Sequence, residues 1–158
     1  MVDDRAEIKV RAAQHSDTKV IFEWRNDELT RQMFRASEIV KWDAHCNWFA
    51  ATLQNSNRCL LMCYSEQEKY IAVVRFDVED DIAEVSINLS PSERGKGFAP
   101  KCLLLAIDVF EKKSSSVRKL IAEIKTSNVA SKKSFEKVGF TLDDEKDGFW
   151  HLSSSINS

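Results

Sequence analysis

Apolar and polar residues alternate at Ile8, Val10 and Ala12, which predicts a first strand. Ser16 or Asp17 can cap a following helix that carries Val20, Ile21 and Trp24 on one face. Cys46, Phe49, Ala50 and Leu53 recur at helical spacing and predict a second helix over residues 43–53. Residues 58–64 and 70–78 are apolar, β-rich runs separated by a polar segment at 65–69, the pattern of a hairpin. Asp80 and Asp81 make the next turn, residues 82–89 another strand, and residues 100–113 an apolar helix with Leu103, Leu104, Ile107 and Phe110. A strand over 120–124, a helix over 128–138 and strands from Phe140 onward and around 149–152 complete the chain. The order β-α-α-β-β-β-α-β-α-β places antiparallel meanders first and a βαβ unit second. It predicts an α/β (α+β) fold with a mixed, mostly antiparallel twisted sheet of six to seven strands and about four helices.

A chain of 158 residues fits one domain. Residues 7–152 are expected to form the ordered core and 153–158 a frayed, Ser-rich tail. Lys and Arg number 23 against 25 Asp and Glu, a net charge of −2, which argues against a nucleic-acid partner. No apolar run is long enough to span a bilayer, and the acidic start of the chain has no apolar signal region, so a cytoplasmic protein is expected. There Cys46, Cys59, Cys63 and Cys102 stay as thiols. They form no C-x-x-C pair and His15, His45 and His151 lie far apart, so no metal site is expected.

Three segments carry candidate chemistry. Residues 87–100 end a strand, place Gly95 and Gly97 two apart and open an apolar helix. Such a loop brings backbone amides and a helix N-terminus to a phosphate, or is a plain turn that needs glycine. The strand 82–89 keeps Glu84, Ser86 and Asn88 in a row on one face, lining water or a cleft. Against a cleft wall, desolvation would raise the pKa of Glu84 and suit it to be a general base; the alternative is an exposed strand face. Residues 128–140 hold a helix capped by Asn128, with Ala130, Phe135 and Val138 inward and Gly139 ending it.

In this order and spacing the three segments resemble the GNAT superfamily of acetyl-CoA-dependent N-acetyltransferases. Arg94-Gly95-Lys96-Gly97-Phe98-Ala99 matches its R/Q-x-x-G-x-G/A signature, and Asn128, Ser131 and Phe135-Glu136-Lys137-Val138-Gly139-Phe140 match its closing stretch. The resemblance implies that the amides of residues 94–99 hold the pyrophosphate of acetyl-CoA. It also implies that the strand with Ile87 and Leu89 splays from residues 120–124 to admit the pantetheine arm, which Asn128 and Ser131 would meet. A neutral amine would attack the thioester, a backbone amide near Leu89 would stabilise the oxyanion, and Glu84 would take the proton. Many relatives carry tyrosine where this chain has Phe135. Ser131, another hydroxyl or water would then protonate the thiolate, or it would leave unassisted. A CoA-binding sensor without catalysis is the reading of another class.

The run Trp24-Arg25-Asn26 followed by His45-x-x-Trp48-Phe49 resembles the branch that acetylates nucleotide-linked 4-amino sugars, and less tightly the ribosomal-protein N-terminal acetyltransferases. That resemblance makes Trp24, Arg25, Asn26, His45 and Asn88 candidate substrate contacts. Trp24 would offer a stacking face and Arg25 a fork for diphosphate. In the alternative, Trp24 and Trp48 are core anchors, Arg25 a surface ion-pair partner and His45 a helix-surface histidine. A protein N-terminus or a small polyamine is the competing acceptor, and a monomer or homodimer is expected. An acidic groove would favour a cationic acceptor, whereas a basic, aromatic one around Arg25 would favour a nucleotide sugar. The acidic cluster at 77–81 reads as a solvated turn.

Overall fold

Aliphatic residues run almost unbroken through the central strands, so the sheet presents two apolar faces and needs cover on both. In the computed structural model, which describes residues 7–34, 38–65 and 69–157, helices supply it. Strands β1 (Ile8–Ala12), β2 (Arg58–Ser65), β3 (Tyr70–Glu79), β4 (Ile82–Leu89), β5 (Lys119–Lys125), β6 (Thr141–Lys146) and β7 (Phe149–Ser155) form one sheet in the order β1-β2-β3-β4-β5-β7-β6. Every neighbouring pair is antiparallel except β4 and β5. The helices are α1 (Thr18–Asn26), α2 (Glu28–Met33), α3 (Trp42–Gln54), α4 (Phe98–Lys113) and α5 (Val129–Lys137). The fold class read from the sequence is the one found.

Alternation along the strands sorts the side chains into two cores. Leu61, Val74, Phe76 and Val85 join Leu103 and Phe110 of α4 and Phe135 of α5. Leu60, Met62 and Val73 point the other way, onto Ile21 and Trp24 of α1 and Phe49 of α3. Phe76 lies flat against Phe110, with ring centroids 4.1 Å apart. Fully burying one such side chain contributes about 1.5–3 kcal/mol.

Three expectations need correction. Residues 27–33 were not expected to be helical. Yet Asp27 caps α2 by accepting a hydrogen bond from the Thr30 amide at 3.1 Å. Helix α4 starts two residues before Pro100, which sits in the first turn where its missing N–H costs nothing. Residues 153–157 are not frayed: β7 continues to Ser155, paired with Lys119, and Ile156 is buried. The Asn157 side chain then donates to the carbonyls of Ser114 and Val117 at 3.0 and 2.9 Å. Serine hides this strand because its apolar content is low, while the pairing is made by backbone groups. Residue 158 and the hairpin residues 66–68 lie outside the described residues.

Candidate active site

The parallel pair β4–β5 is registered over three rungs only, Ile82↔Lys119, Ala83↔Leu120 and Glu84↔Ile121. Beyond Glu84 the strands part. A cleft of about 800 Å³ occupies the gap, with Ile87 and Leu89 on one wall and Ile124, Asn128, Ser131 and Phe135 on the other. Arg94, Gly95 and Ala99, with Leu29 and Thr30 of α2, also line it. The outer edge of β4 past Glu84 has no strand partner among the described residues, although its other edge pairs with β3 up to Leu89. Backbone donors and acceptors therefore face the cleft, ready for an amide-bearing ligand.

The turn before α4 is built around left-handed backbone. Gly95 has φ +74° and Gly97, the N-cap of α4, has φ +79°. Gly97 has no side chain with which to cap, so the first amides of α4 have no side-chain acceptor from it. Glu93 anchors the turn from beneath. It is buried, and its carboxylate meets the Lys69 ammonium at 2.7 Å and Lys96 at 3.3 Å. Burial alone would raise its pKa; the two lysines outweigh that and hold it below the ordinary value. Lys96 is thus turned to Glu93, while Phe98 packs on the main core. Neither they nor Gly97 line the cleft. The Arg94 guanidinium pairs with Asp27 and donates to the Thr30 hydroxyl at 2.7 Å, fastening the turn to α2.

Helix α5 contributes the opposite wall. Asn128 Oδ1 accepts from the Ser131 amide at 3.2 Å, setting where the helix begins. Ser131, Ser134 and Phe135 follow at i, i+3 and i+4 and share the face on the cleft. Ser134 lies on the same wall as Phe135, its hydroxyl donating to the Ala130 carbonyl at 3.0 Å. Phe135 is buried edge-on against Phe140, centroids 5.0 Å apart. Glu84 stands at the last rung before the strands part and lines the cleft, yet it is exposed. The desolvated setting expected for it is not there.

A second pocket of about 740 Å³ lies on the helical α1–α3 side of β4. Thr30, Arg75, Ser86 and Asn88 line both spaces and join them. Arg25 and Asn88, expected as substrate contacts, are on its wall; Trp24, Asn26 and His45 are not. Trp24 is a core anchor, 4% exposed. Asn26 clamps the chain after α2, donating to the Val40 carbonyl and accepting from the Val40 amide, both at 2.8 Å. His45 is not on the helix surface: it is wholly buried, with Nε2 donating to the Thr18 carbonyl at 2.8 Å and Nδ1 accepting from Arg25 at 3.0 Å. Asp80, with φ +57°, does sit in a solvated turn, but Asp77 lines the cleft and pairs with Arg75 at 2.9 Å. Sequence reasoning missed Thr30 and Arg75. Asp27 ahead of a helix-forming run was the available signal for α2, and Arg75 shares a strand face with Val73 above the second pocket.

A left-handed glycine turn therefore opens a helix beside two parallel strands that part. Residues 7–141 match the family described as acetyltransferase (GNAT) domain, and the chain belongs to that family. No curated protein sequence matches it. Among solved structures it is similar to a spermidine N-acetyltransferase from Vibrio cholerae in complex with CoA and spermine. The TM-score is 0.82 and the identity 16%, over 94% of this chain and 95% of that one. A domain from Methanocaldococcus jannaschii DSM 2661 gives a TM-score of 0.82 at 20% identity, over 96% and 99%. A putative phosphinothricin N-acetyltransferase gives 0.79 at 26% identity, again over 96% and 99%. The chain is an acetyltransferase of the GNAT family, whose acyl donor is acetyl-CoA.

Proposed function

We propose that the protein transfers acetyl from acetyl-CoA directly to the primary amine of a small molecule, with the donor in the cleft between β4 and β5. The observation that carries this reading is the loss of β4–β5 pairing after Glu84, which among the described residues leaves the facing strand edges without a strand partner near the turn at Gly95 and Gly97. The donor supplies an acyl group already activated as a thioester. The amides at the start of α4 receive its diphosphate, and the free edge of β4 at Ile87 and Leu89 receives the amides of its arm. A backbone amide near Leu89 polarises the carbonyl under attack. An alkyl amine is mostly protonated at neutral pH, so its proton must leave before attack. Glu84 takes it, directly or through water, from the base of the gap. Phe135 has no proton to give the departing thiolate; Ser131 and Ser134 carry hydroxyls on that wall.

The named activity of the Vibrio cholerae neighbour supports a small polyamine as acceptor, the alternative read from the sequence. A nucleotide-linked amino sugar and a protein N-terminus rest on resemblance alone. A cytoplasmic site of action fits the donor and the four free cysteines, and among the described residues no helix is long and apolar enough to cross a membrane. Thiol release from acetyl-CoA, followed with a panel of polyamines, amino sugars and peptides, tests the reading. Turnover with at least one amine is expected. Tight CoA binding with no turnover on any of them would favour the sensor reading, and no CoA binding would reject both.

A further inference from the structure

The second pocket has a charge pattern that acetyl transfer itself does not require. The Arg25 guanidinium carbon lies 4.4 Å from the Trp48 ring centroid and that of Arg75 5.2 Å, so two cations gather on one indole. Arg75 has a counter-charge in Asp77. Arg25 makes no ion pair with a carboxylate among the described residues. Its hydrogen-bond partner is His45 Nδ1, and since Nε2 donates to the Thr18 carbonyl, that imidazole is neutral. Burial, and then the charge of Arg75, weaken the hold of Arg25 on its proton, the mark of a cation without compensation. Arg31 adds a third guanidinium to the wall, bonded to the Asn26 carbonyl at 3.2 Å. Among the described residues the wall's one carboxylate, Glu38, is exposed.

Holding two guanidiniums together, one of them half-buried and uncompensated, opposes folding unless an anion completes the group. Trp48 and His45 together fix the orientation of the Arg25 fork, and a fixed fork matches phosphate, phosphonate or carboxylate oxygens. Lysine-like polycations meet repulsion at the same place. Thr30, Ser86 and Asn88 connect this pocket to the cleft.

We propose that Arg25 and Arg75, gathered on Trp48, form the acceptor's anion subsite, so that the amine acetylated by this enzyme carries a phosphate, phosphonate or carboxylate group. This rests on the acetyl-transfer reading above and, among its acceptors, sets an anion-bearing amine against the polyamine that the Vibrio cholerae neighbour supports. The test is calorimetry of the CoA-saturated protein with inorganic phosphate, methylphosphonate, acetate, UDP and spermidine, repeated with Arg25→Gln, Arg25→Lys and Arg75→Gln. At least one anion is expected to bind, and Arg25→Gln is expected to weaken it roughly 10- to 100-fold, with Arg25→Lys losing less. UDP binding tighter than phosphate identifies a nucleotide-linked amine; methylphosphonate or acetate binding as well as UDP identifies a small acidic amine. CoA affinity on the same samples reports both whether each variant is folded and whether the donor site exists, so failure of the acetyl-transfer reading is seen separately. The proposal is overturned if no anion binds, if all three variants bind anions as wild type does, or if spermidine binds and Arg25→Gln tightens it.

Discussion

Arg94 and Asp27 form an ion pair that ties the turn ahead of α4 to the cap of α2. One carboxylate thus serves two ends: it accepts the Thr30 amide and neutralises the arginine. Asp27→Ala is expected to cost about 1–3 kcal/mol, the sum of a cap and a half-buried pair, and Asp27→Asn less, because asparagine still caps. Burial alone would raise the carboxyl's pKa, but the Arg94 and Thr30 hydrogen bonds and the Arg94 charge hold it below the ordinary value. Its stabilisation is therefore present above the unfolded value of about 3.9 and lost as pH falls through the lower folded one. Urea midpoints from pH 6 to pH 3 should fall further for wild type than for Asp27→Asn.

Glu84 is the ionisable side chain on the last shared rung of β4 and β5. If it takes the acceptor's proton, Glu84→Gln should lower kcat by about 10²-fold or more while leaving the KM for acetyl-CoA within about twofold. The acidic limb of the pH–rate profile should vanish with it. An unchanged kcat would transfer the role to water.

Gly97 is the residue whose dihedrals aim the first amides of α4. An added Cβ meets nothing within 4 Å, so crowding is not the obstacle to alanine there. The obstacle is φ +79°, worth about 1–2 kcal/mol for an L-residue. Gly97→Ala should lose that much stability and also bind CoA more weakly, since relaxing the strain re-aims the amides. Gly139→Ala, at φ +104° past the end of α5, carries a comparable strain away from the turn. It should lose stability and keep CoA affinity. Equal CoA affinity in both variants would remove the turn from the donor site.

What the sequence made legible follows from how local each signal is. The central strands, α4 and the Gly95–Gly97 turn declare themselves through alternation, periodicity and glycine spacing, all set by neighbours in the chain. Helix α2 did not, because six residues carry too little periodicity and its cap is completed by Arg94, 67 positions away. His45 read as a surface residue because its partners, the Thr18 carbonyl and Arg25, come from another helix. Trp24 and Arg25 are adjacent in sequence yet face a core and a pocket, a division that only the placement of α3 decides. Asn26 fell the same way: its pattern resembled a substrate contact, and its partner is the backbone of Val40.

His45 also makes stability depend on pH in a direction its surroundings fix. Burial first, and then the charge of Arg25, hold its pKa below the ordinary value, against the opposing pull of the Thr18 hydrogen bond. Protonating Nδ1 would set two donors face to face at 3.0 Å. Between the lowered folded value and about 6.5 the unfolded chain binds the extra proton and the folded chain does not. Stability from this site is therefore full above about 6.5 and declines as pH falls through that window, by at most about 1.4 kcal/mol per pH unit. His151 works oppositely. Its hydrogen bond to Asp144, with a second to Glu123, raises its pKa, so its contribution is present at low pH and lost as pH rises through the folded value. The two sites belong to different elements, so comparing wild type with His45→Gln cancels the His151 contribution. The variant should be less stable by about 1–3 kcal/mol at pH 7.5, with the gap narrowing towards pH 5. A gap that stays constant in urea titrations from pH 8 to pH 5 would mean that the imidazole does not resist its proton.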